Sequence, residues 1–435
     1  MELEILNRAL ADGAIDRDGL FPHLDRLQDT PFVFETHFGL DELPTEPGLL
    51  LVRGARQFGK STWLERELRN TIRTFGPGTA FYLNGDHLRD ADGLTREVQR
   101  LVAAFRTDAP VRRLFIDEIT SLPDWTRGLK RLLDGGELRR VLVVTTGSRA
   151  TDLHRGAERL PGRRGKLDRT TFHFTPVSFR EFRRVCGKVL GEETLDAYLI
   201  SGGSPLACGE LAAKGRLPEW VVDTTRDWIL GECVASGRSR SSLLGVMNVL
   251  LRHGASPLGQ SKLARDAGLA NNTVALGYLD LLGDLMCVGT TRAWDESRRV
   301  VNARRPAKAP MVNLLAAVAW HSERIRTVDD FRRMPPSEQG VWIEWLVAQE
   351  LTRRRALRGE ELPHELLYWD GGGHEIDFVE PPSAFIEVKR GAANPLEFSW
   401  FHASHPKAQL LVVCASKFRT DHVRGATLAE FLLEH

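Results

Sequence analysis

The residues whose types and spacing best fit a chemical task lie at Gly54–Ser61, where the chain reads G-x-x-x-x-G-K-S. An apolar run from Leu49 predicts a buried strand before this loop, and leucines at helical spacing predict a helix over Ser61–Asn70 after it. Main-chain N–H groups of a glycine-rich loop can converge on an anion, and the helix points its positive end at the same place. We therefore expect Lys60 to contact the β- and γ-phosphates of a nucleotide and Ser61 to hold Mg²⁺.

Two adjacent carboxylates, Asp117 and Glu118, follow a second apolar run. This pattern is typical of a hydrolytic nucleotide site, in which Asp117 holds Mg²⁺ through water and Glu118 polarises the attacking water. A third predicted strand, Arg140–Gly147, ends at Ser148, which is either a sensor of the γ-phosphate or a helix cap or turn residue. The sequence thus predicts ATP hydrolysis, with ATP and Mg²⁺ as cofactors. The residues expected to bind the cofactor are Gly54, Arg56, Gln57, Gly59, Lys60, Ser61, Thr62 and Asp117.

Strands that alternate with helices define the fold class around this loop. Ala80–Asn84 reads as a further strand and Leu94–Phe105 as an amphipathic helix. Such alternation predicts an α/β fold, with a parallel sheet covered by helices on both faces and ligands at the carboxyl ends of its strands. A length of 435 residues predicts about three domains. The predicted segments are a helical lead-in (1–48), the nucleotide domain (49–175), a helical lid (176–250), a winged helix (251–334) and a C-terminal α/β domain (335–435).

Composition limits the class of protein. With 42% hydrophobic and 27% charged residues the chain is typical of a globular protein, and no apolar run approaches the ~20 residues of a membrane span. Its start, Met-Glu-Leu-Glu, is acidic where a signal peptide is basic, so we expect a cytoplasmic location and no membrane partner. The five cysteines lack C-x-x-C spacing, which predicts reduced core thiols rather than a zinc site or disulfides.

Charge leaves the question of a nucleic-acid partner open. The net charge of +1 says nothing about such a partner, so any nucleic acid must be bound by local patches. Basic residues cluster at Arg149–Arg169 and Arg292–Lys308, and each cluster is either a nucleic-acid contact or an ordinary solvated surface. DNA is the nucleic acid that we expect if there is one.

Residues Ser256–Leu282 show the spacing of a helix-turn-helix. The second helix is expected to begin near Asn271 and to offer Asn272 and Thr273 to a base edge, with a wing over Leu285–Arg292. That helix lacks lysine and arginine and carries two aspartates, which disfavours a close approach to phosphates. A purely structural winged helix is the favoured interpretation, and DNA readout is the alternative.

A second set of chemical residues lies near the C-terminus. His374–Val379 and Ala384–Lys389 read as paired strands, which brings Asp377 close to Glu387 and Lys389 on one face. This D…E-x-K pattern is typical of metal-dependent nucleases, in which carboxylates hold Mg²⁺ or Mn²⁺ and the lysine activates the attacking water. The alternative is a surface hairpin with ordinary alternating charges. The metal ligands predicted for the whole chain are Ser61 and Asp117 at the loop, and Glu344, Asp377 and Glu387 near the C-terminus.

Taken in order, the motifs resemble those of prokaryotic AAA-type (P-loop) ATPases fused to a winged-helix segment and a C-terminal domain similar to PD-(D/E)XK nucleases. The segments that carry the resemblance are Gly54–Ser61, Ile116–Ile119, Thr146–Ser148, Leu160–Arg163, Phe174–Phe182 and Gly202–Pro205. The resemblance implies a homo-oligomeric ATPase in which Arg163 or Arg164 is an arginine finger or sensor, the alternative for either being a surface arginine. Relatives tend to carry aspartate where this chain has Asn313.

Two functions of different classes remain open. In the first, ATP binding and hydrolysis control a metal-dependent nuclease that acts on nucleic acid, in a defence or mobile-element setting that rests on the resemblance alone. In the second, the nucleotide drives a binding switch that repositions the winged helix and a catalytically inactive nuclease-like domain on a partner. The complete D…E-x-K set favours the first function, and the neutral net charge favours the second.

Overall fold

The structure, a computed structural model, describes residues 3–147, 162 and 165–434. The chain divides into two compact units, Met1–Thr175 and Pro176–His435. Ser148, Arg163 and Arg164, which the sequence predicts as sensors or as an arginine finger, lie outside the described residues.

The first unit is built on a parallel sheet. Its described strands are β1 (Gly48–Gly54), β2 (Ala80–Asn84), β3 (Arg113–Asp117), β4 (Leu142–Gly147) and β5 (Thr171–Phe174). They pair in parallel in the order β2-β3-β4-β1-β5. The flanking helices are α1 (Leu3–Asp12), α2 (Pro22–Gln28), α3 (Lys60–Phe75), α4 (Ala91–Ala104) and α5 (Trp125–Asp134). β1, β3 and β4 are buried along their whole length, as strands covered on both faces must be, and the predicted α/β class is confirmed.

Parallel pairing brings the ends of neighbouring strands to one edge of this sheet. Asn84 at the end of β2 is in register with Asp117 at the end of β3, and Arg53 of β1 is opposite Gly147 of β4. The phosphate-binding loop that starts at Gly54 and the carboxylates that start at Asp117 therefore leave the sheet at the same edge.

The outer strand β2 is covered by a side chain from the N-terminal lead-in. Asn7 of α1 donates from Nδ2 to the carbonyl of Tyr82 at 2.8 Å and accepts from the N–H of the same residue at 2.8 Å. An amide side chain thus satisfies a strand edge that would otherwise expose its main-chain groups. The lead-in is therefore part of the fold of the first unit.

Helices come first in the second unit. Those within the predicted lid are α6 (Phe179–Leu190), α7 (Thr194–Ser201), α8 (Pro205–Lys214), α9 (Glu219–Ala235) and α10 (Arg240–His253). The next two, α11 (Gln260–Asp266) and α12 (Asn272–Asp284), have the predicted helix-turn-helix spacing. Asn271 caps α12, since its side chain accepts from the N–H of Val274 at 3.0 Å. The later helices are α13 (Leu314–Trp320), α14 (Val328–Arg333), α15 (Pro336–Leu357), α16 (Ser399–Ser404) and α17 (Leu428–Leu433).

Strands in residues 176–434 form two sheets. They are β6 (Thr290–Asp295), β7 (Val300–Val301), β8 (Glu365–Gly371), β9 (His374–Ile376), β10 (Phe378–Glu380), β11 (Ala384–Val388), β12 (Gln409–Val413), β13 (Phe418–Arg419) and β14 (Val423–Ala426). One sheet has the order β7-β6-β8-β9, and the other has the order β10-β11-β12-β14-β13. Across the described residues, no helix combines the length and the apolar character that crossing a membrane requires.

The strand predicted over His374–Val379 is wrong in its extent. It breaks at Asp377 into β9 and β10, which belong to different sheets. The N–H of Asp377 donates to Oε2 of Glu387 at 3.4 Å, and the Asp377 side chain accepts from the N–H of Val388 at 2.9 Å. Bonds between main chain and side chain thus replace ladder bonds at this residue, which interrupts the strand.

Candidate active site

The loop between β1 and α3 depends on two glycines for different reasons. A Cβ on Gly54 would lie 2.6 Å from the carbonyl oxygen of Phe174, so a larger residue would push β5 away. Gly59, the N-cap of α3, has a φ of 100°, a conformation that favours glycine. Gln57 also has a positive φ, of 63°. The loop therefore turns tightly into α3, whose first-turn N–H groups have no carbonyl partner within the helix and are available to an anion.

Lys60 is buried at the start of α3, with 4% of its surface exposed. Its Nζ donates to the carbonyl oxygens of Gly54 and Ala55 at 3.0 and 2.8 Å. Burial lowers the pKa of this ammonium, while the negative charges of Glu118 and Asp117 act in the opposite direction. Lys60 is thus held against its own loop, in the field of the two carboxylates, in the position where a phosphate-binding lysine is expected.

Asp117 and Glu118 are tied to the neighbouring strand by Thr146. The Thr146 hydroxyl donates to Oδ1 of Asp117, and the N–H of Glu118 donates to that hydroxyl at 3.2 Å and to Oδ1 of Asp117 at 3.1 Å. Asp117 and Thr146 are both buried, and Glu118 has a left-handed backbone with φ of 46°. Sequence reasoning selected Ser148 at this strand end and missed Thr146, although both belong to one Thr-Thr-Gly-Ser run.

Gly85, directly after β2, packs against the main chain of Glu118. A Cβ at this position would lie 2.9 Å from the carbonyl carbon of Glu118 and 3.1 Å from the Cα of Ile119. Gly85 is buried and is the first residue of a short 3-10 helix that the side chain of Asn84 caps. The sequence carries no local signal for this contact, because the two residues come close only through the pairing of β2 with β3.

An ion pair connects the lead-in to the helix that follows the loop. Glu65 of α3 accepts from the main-chain N–H groups of His23 and Leu24 at 2.9 and 3.1 Å, and its Oε1 lies 2.6 Å from Nδ1 of His23. Glu65 therefore caps α2 as well as pairing with the imidazole. The hydrogen bond to Glu65 raises the pKa of His23 against the effect of burial, and the charges of Glu65 and Asp117 act in the same direction as the hydrogen bond. Neither residue belongs to a motif that predicts a role from the sequence.

We predict that this pair makes the stability of the first unit depend on pH. Because the folded-state pKa of His23 is raised, its contribution is fully present below the unfolded value of about 6.5 and is lost as the pH rises through the folded value. The melting temperature of the wild type should therefore fall between about pH 6 and pH 8 by more than that of His23→Gln. Thermal unfolding at the two pH values measures this difference, and identical pH profiles would contradict it.

The donors around the loop suit the predicted cofactor. Ser61 supplies a hydroxyl and Asp117 a carboxylate, and hard oxygen ligands of this kind are those that Mg²⁺ prefers. Arg56 and Gln57 are exposed on the loop, and Thr62 lies half-buried in the first turn of α3. The cofactor-binding roles of the loop residues and of Asp117 stay predictions, with donor types that fit a nucleotide and its metal ion.

Lys308 is the centre of a second charged cluster, in the second unit. Its Nζ lies 2.7 Å from Oε1 of Glu375, 3.1 Å from Oδ1 of Asp377 and 3.5 Å from Oε1 of Glu344, and its side chain is 2% exposed. Burial disfavours this ammonium, but the carboxylates of Glu344, Asp377 and Glu375 outweigh burial and raise its pKa. Sequence reasoning placed Lys308 only at the end of a basic run and missed its position among the acids.

Glu387 pairs with Lys389, the lysine of the predicted motif. Nζ of Lys389 lies 2.6 Å from Oε1 of Glu387, and Lys389 follows directly after the end of β11. Burial and the charge of Asp377 raise the pKa of Glu387, against the effect of Lys389. The same two causes raise the pKa of Glu344, against the effect of Lys308. The four acids of this site, Glu344, Glu375, Asp377 and Glu387, are called the acidic cluster below.

The structure thus brings Glu344, Asp377, Glu387 and Lys389 into one region, as the sequence predicts, with Lys308 between three of the carboxylates. Among the described residues, no group of three or more His, Cys, Asp or Glu side chains is arranged to hold a metal ion. The donor types suit Mg²⁺ or Mn²⁺, but an ammonium occupies the position where the carboxylates converge. The residues present therefore do not fit a metal ion as they stand.

The predicted recognition helix α12 is exposed at its start. Asn272 donates from Nδ2 to the hydroxyl of Ser261 on α11 at 3.0 Å, and Thr273 is exposed. Asn272 therefore joins α11 to α12, which is a structural contact.

One family model matches part of the chain. Residues 46–183 match a family model described as an AAA domain, a class of P-loop ATPases that bind ATP and typically use Mg²⁺. No curated protein matches the chain significantly.

Among solved structures, a Walker-type ATPase of Pyrococcus abyssi is similar at 14% identity and a TM-score of 0.42, over 70% of this chain and 95% of that one. RuvB of Thermotoga maritima is similar at 14% identity and a TM-score of 0.30, over 59% and 85%. Cdc6p of Pyrobaculum aerophilum is similar at 14% identity and a TM-score of 0.26, over 57% and 83%. TM-scores this low support no assignment of function. The nucleotide domain is assigned from the family match over residues 46–183 and from the geometry of the loop between β1 and α3.

Proposed function

We propose that this protein binds and hydrolyses ATP in its first unit and that the nucleotide state controls the second unit. The observation that carries the proposal is the arrangement of Asp117 and Glu118 on the hydroxyl of Thr146, at the sheet edge that the phosphate-binding loop shares. The AAA domain match over residues 46–183 supports ATP as the nucleotide.

Each residue of the site has a role that follows from its chemistry. Lys60 and the first-turn N–H groups of α3 bind the β- and γ-phosphates. Ser61 and Asp117 would hold Mg²⁺, which neutralises charge on the phosphates when bound. Glu118 accepts a proton from the attacking water. Thr146 orients the carboxylate of Asp117 and holds the main-chain N–H of Glu118. Ser148 is proposed as the γ-phosphate sensor and Arg163 or Arg164 as the arginine finger of a homo-oligomer.

The second unit is proposed to act on a nucleic acid, most simply DNA. We propose α11 and α12 as a helix-turn-helix. Because α12 lacks lysine and arginine, phosphate contacts would come from the arginines of residues 292–305. In this reading ATP turnover repositions the second unit on its partner.

A metal-dependent nuclease is the second candidate function for this unit. It is favoured by the convergence of Asp377, Glu387 and Lys389, in which Lys389 is within hydrogen-bonding distance of Glu387. That function requires Lys308 to leave the position where the carboxylates converge, so that Glu344, Asp377 and Glu387 could hold Mg²⁺ or Mn²⁺ and Lys389 could position water. A cleavage assay on plasmid and single-stranded DNA with Mn²⁺ tests this function. Cleavage by the wild type that Asp377→Ala loses would support it, and no cleavage by the wild type would refute it.

The proposed ATP site is tested by removing its lysine. Lys60→Ala should weaken ATP binding roughly ten- to 100-fold, because charge-assisted hydrogen bonds to the phosphates are lost. Isothermal titration of ATP with Mg²⁺ measures the effect, and circular dichroism checks the fold. Lys130→Ala, at an exposed lysine of α5, is the matched control and should bind as the wild type does. Equal affinity of Lys60→Ala and wild type would refute the site.

A further inference from the structure

Two backbone hydrogen bonds to Thr291 hold the main chain of Lys308 in place, and its side chain extends from there to the acidic cluster. Its N–H donates to the carbonyl of Thr291 at 2.9 Å, and its carbonyl accepts from the N–H of Thr291 at 2.9 Å. The side chain passes over the ring of Tyr368, with Nζ 5.6 Å from the ring centroid. An ammonium buried in this way cannot leave the carboxylates without a change in the surrounding structure.

We propose that Lys308 takes the place of a divalent cation in the acidic cluster, which is therefore a structural ion-pair network and not a catalytic metal site. The inference concerns the second unit alone and does not depend on ATP hydrolysis in the first.

The distances explain why one cation excludes the other. Carboxylates that converge repel each other unless a positive charge lies between them, and Lys308 supplies that charge within 3.5 Å of three of them. A metal ion that ligated the same oxygens would lie within a few ångströms of the ammonium, in a buried site where charges are poorly screened. Either cation stabilises the cluster, and the two together destabilise it.

Hydrogen-bond donors also occupy the second oxygen of Asp377 and both oxygens of Glu387. Oδ2 of Asp377 accepts from the N–H of Val388 at 2.9 Å, and Oε1 of Glu387 is paired with Lys389 at 2.6 Å. Oε2 of Glu387 accepts from the N–H of Asp377 at 3.4 Å. A metal ion would have to displace these partners as well as Lys308. The acidic cluster is accordingly not arranged for metal-dependent cleavage.

The first arm of the test asks whether Mn²⁺ binds to the acidic cluster of the wild type. The proposal predicts that it does not. Thermal unfolding of the full chain is measured without nucleotide, with and without MnCl₂, for the wild type and for Asp377→Asn. The shift caused by Mn²⁺ should be the same in the two proteins. A Mn²⁺-induced rise in the melting temperature of the wild type that Asp377→Asn loses would overturn the proposal.

The second arm removes the internal cation. Lys308→Met should lower the melting temperature by roughly 5 to 10 °C, because buried carboxylates lose their counter-charge, and Mn²⁺ should restore part of the loss. Lys389→Met is the matched control, since Lys389 is 44% exposed and contacts one carboxylate, and its effect should be smaller. A Lys308→Met protein as stable as the wild type, or one that Mn²⁺ does not stabilise, would contradict the proposal. If Lys308→Met does not fold, the first arm still decides.

Discussion

Replacement of Glu118 by glutamine should reduce ATP turnover by about 100-fold or more while ATP binding is retained. Glutamine has nearly the same shape but cannot accept a proton, and general bases contribute on the order of 10² to 10⁴ to a rate. The backbone of Glu118 is held by Asp117 and Thr146 through its N–H, which the substitution leaves in place. The change therefore isolates the chemistry of the carboxylate.

Phosphate release at saturating ATP measures the turnover, and isothermal titration measures the binding. Glu42→Gln is a suitable control, because Glu42 is an exposed glutamate of the same unit. Turnover by Glu118→Gln at the wild-type rate would show that another group activates the water. Loss of binding together with turnover would indicate that Glu118 contacts the nucleotide or its metal ion instead.

The fold of the first unit could be predicted because its signals are local. β1 and β3 are mainly apolar runs. β1 ends at Gly54 and β3 ends at Asp117, so the end of each strand is marked by a change of residue type. Residues Lys60–Phe75 have the helical spacing expected after the loop, although the helix is longer than predicted at both ends. Pattern and burial agree here, since strands covered on both faces are predominantly apolar.

The residues that were missed make contacts between distant parts of the chain. Glu65 is 42 residues from His23, and Lys308 is 69 residues from Asp377. A single sequence gives no measure of such distances, and each of these residues looks locally like an ordinary surface charge. Lys308 lies in a run rich in arginine, where burial among carboxylates is the least expected outcome.

The break at Asp377 has a similar cause. Alternation of polar and apolar residues over His374–Val379 predicts one continuous strand, but the N–H and the side chain of Asp377 bond to β11 instead of extending a ladder. The pairing of β10 with β11 was foreseen, because the turn before Ala384 is marked by two prolines. The sequence therefore indicates which strands pair but not which residue leaves the ladder.

Gly85→Ala should lower ATP turnover roughly ten- to 100-fold without a comparable loss of ATP binding. The added methyl group would lie 2.9 Å from the carbonyl carbon of Glu118 and would displace the main chain that carries the proposed base. A misplacement of about 1 Å can reduce a rate 100-fold, because proton transfer depends steeply on geometry. The φ of Gly85 is not in the left-handed region, so the effect is steric and not conformational.

The same assay separates this positioning role from a general loss of stability. The Km for ATP should stay within a few-fold of the wild type while kcat falls, and Gly85→Ser should be at least as impaired because its side chain is larger. Gly231→Ala, where an added Cβ has no neighbour within 4 Å, is the control and should be neutral in both parameters. Normal kcat in a folded Gly85→Ala protein would show that the main chain of Glu118 tolerates the shift. In that case the exact placement of Glu118 would not limit turnover, and its role as the base would need another explanation.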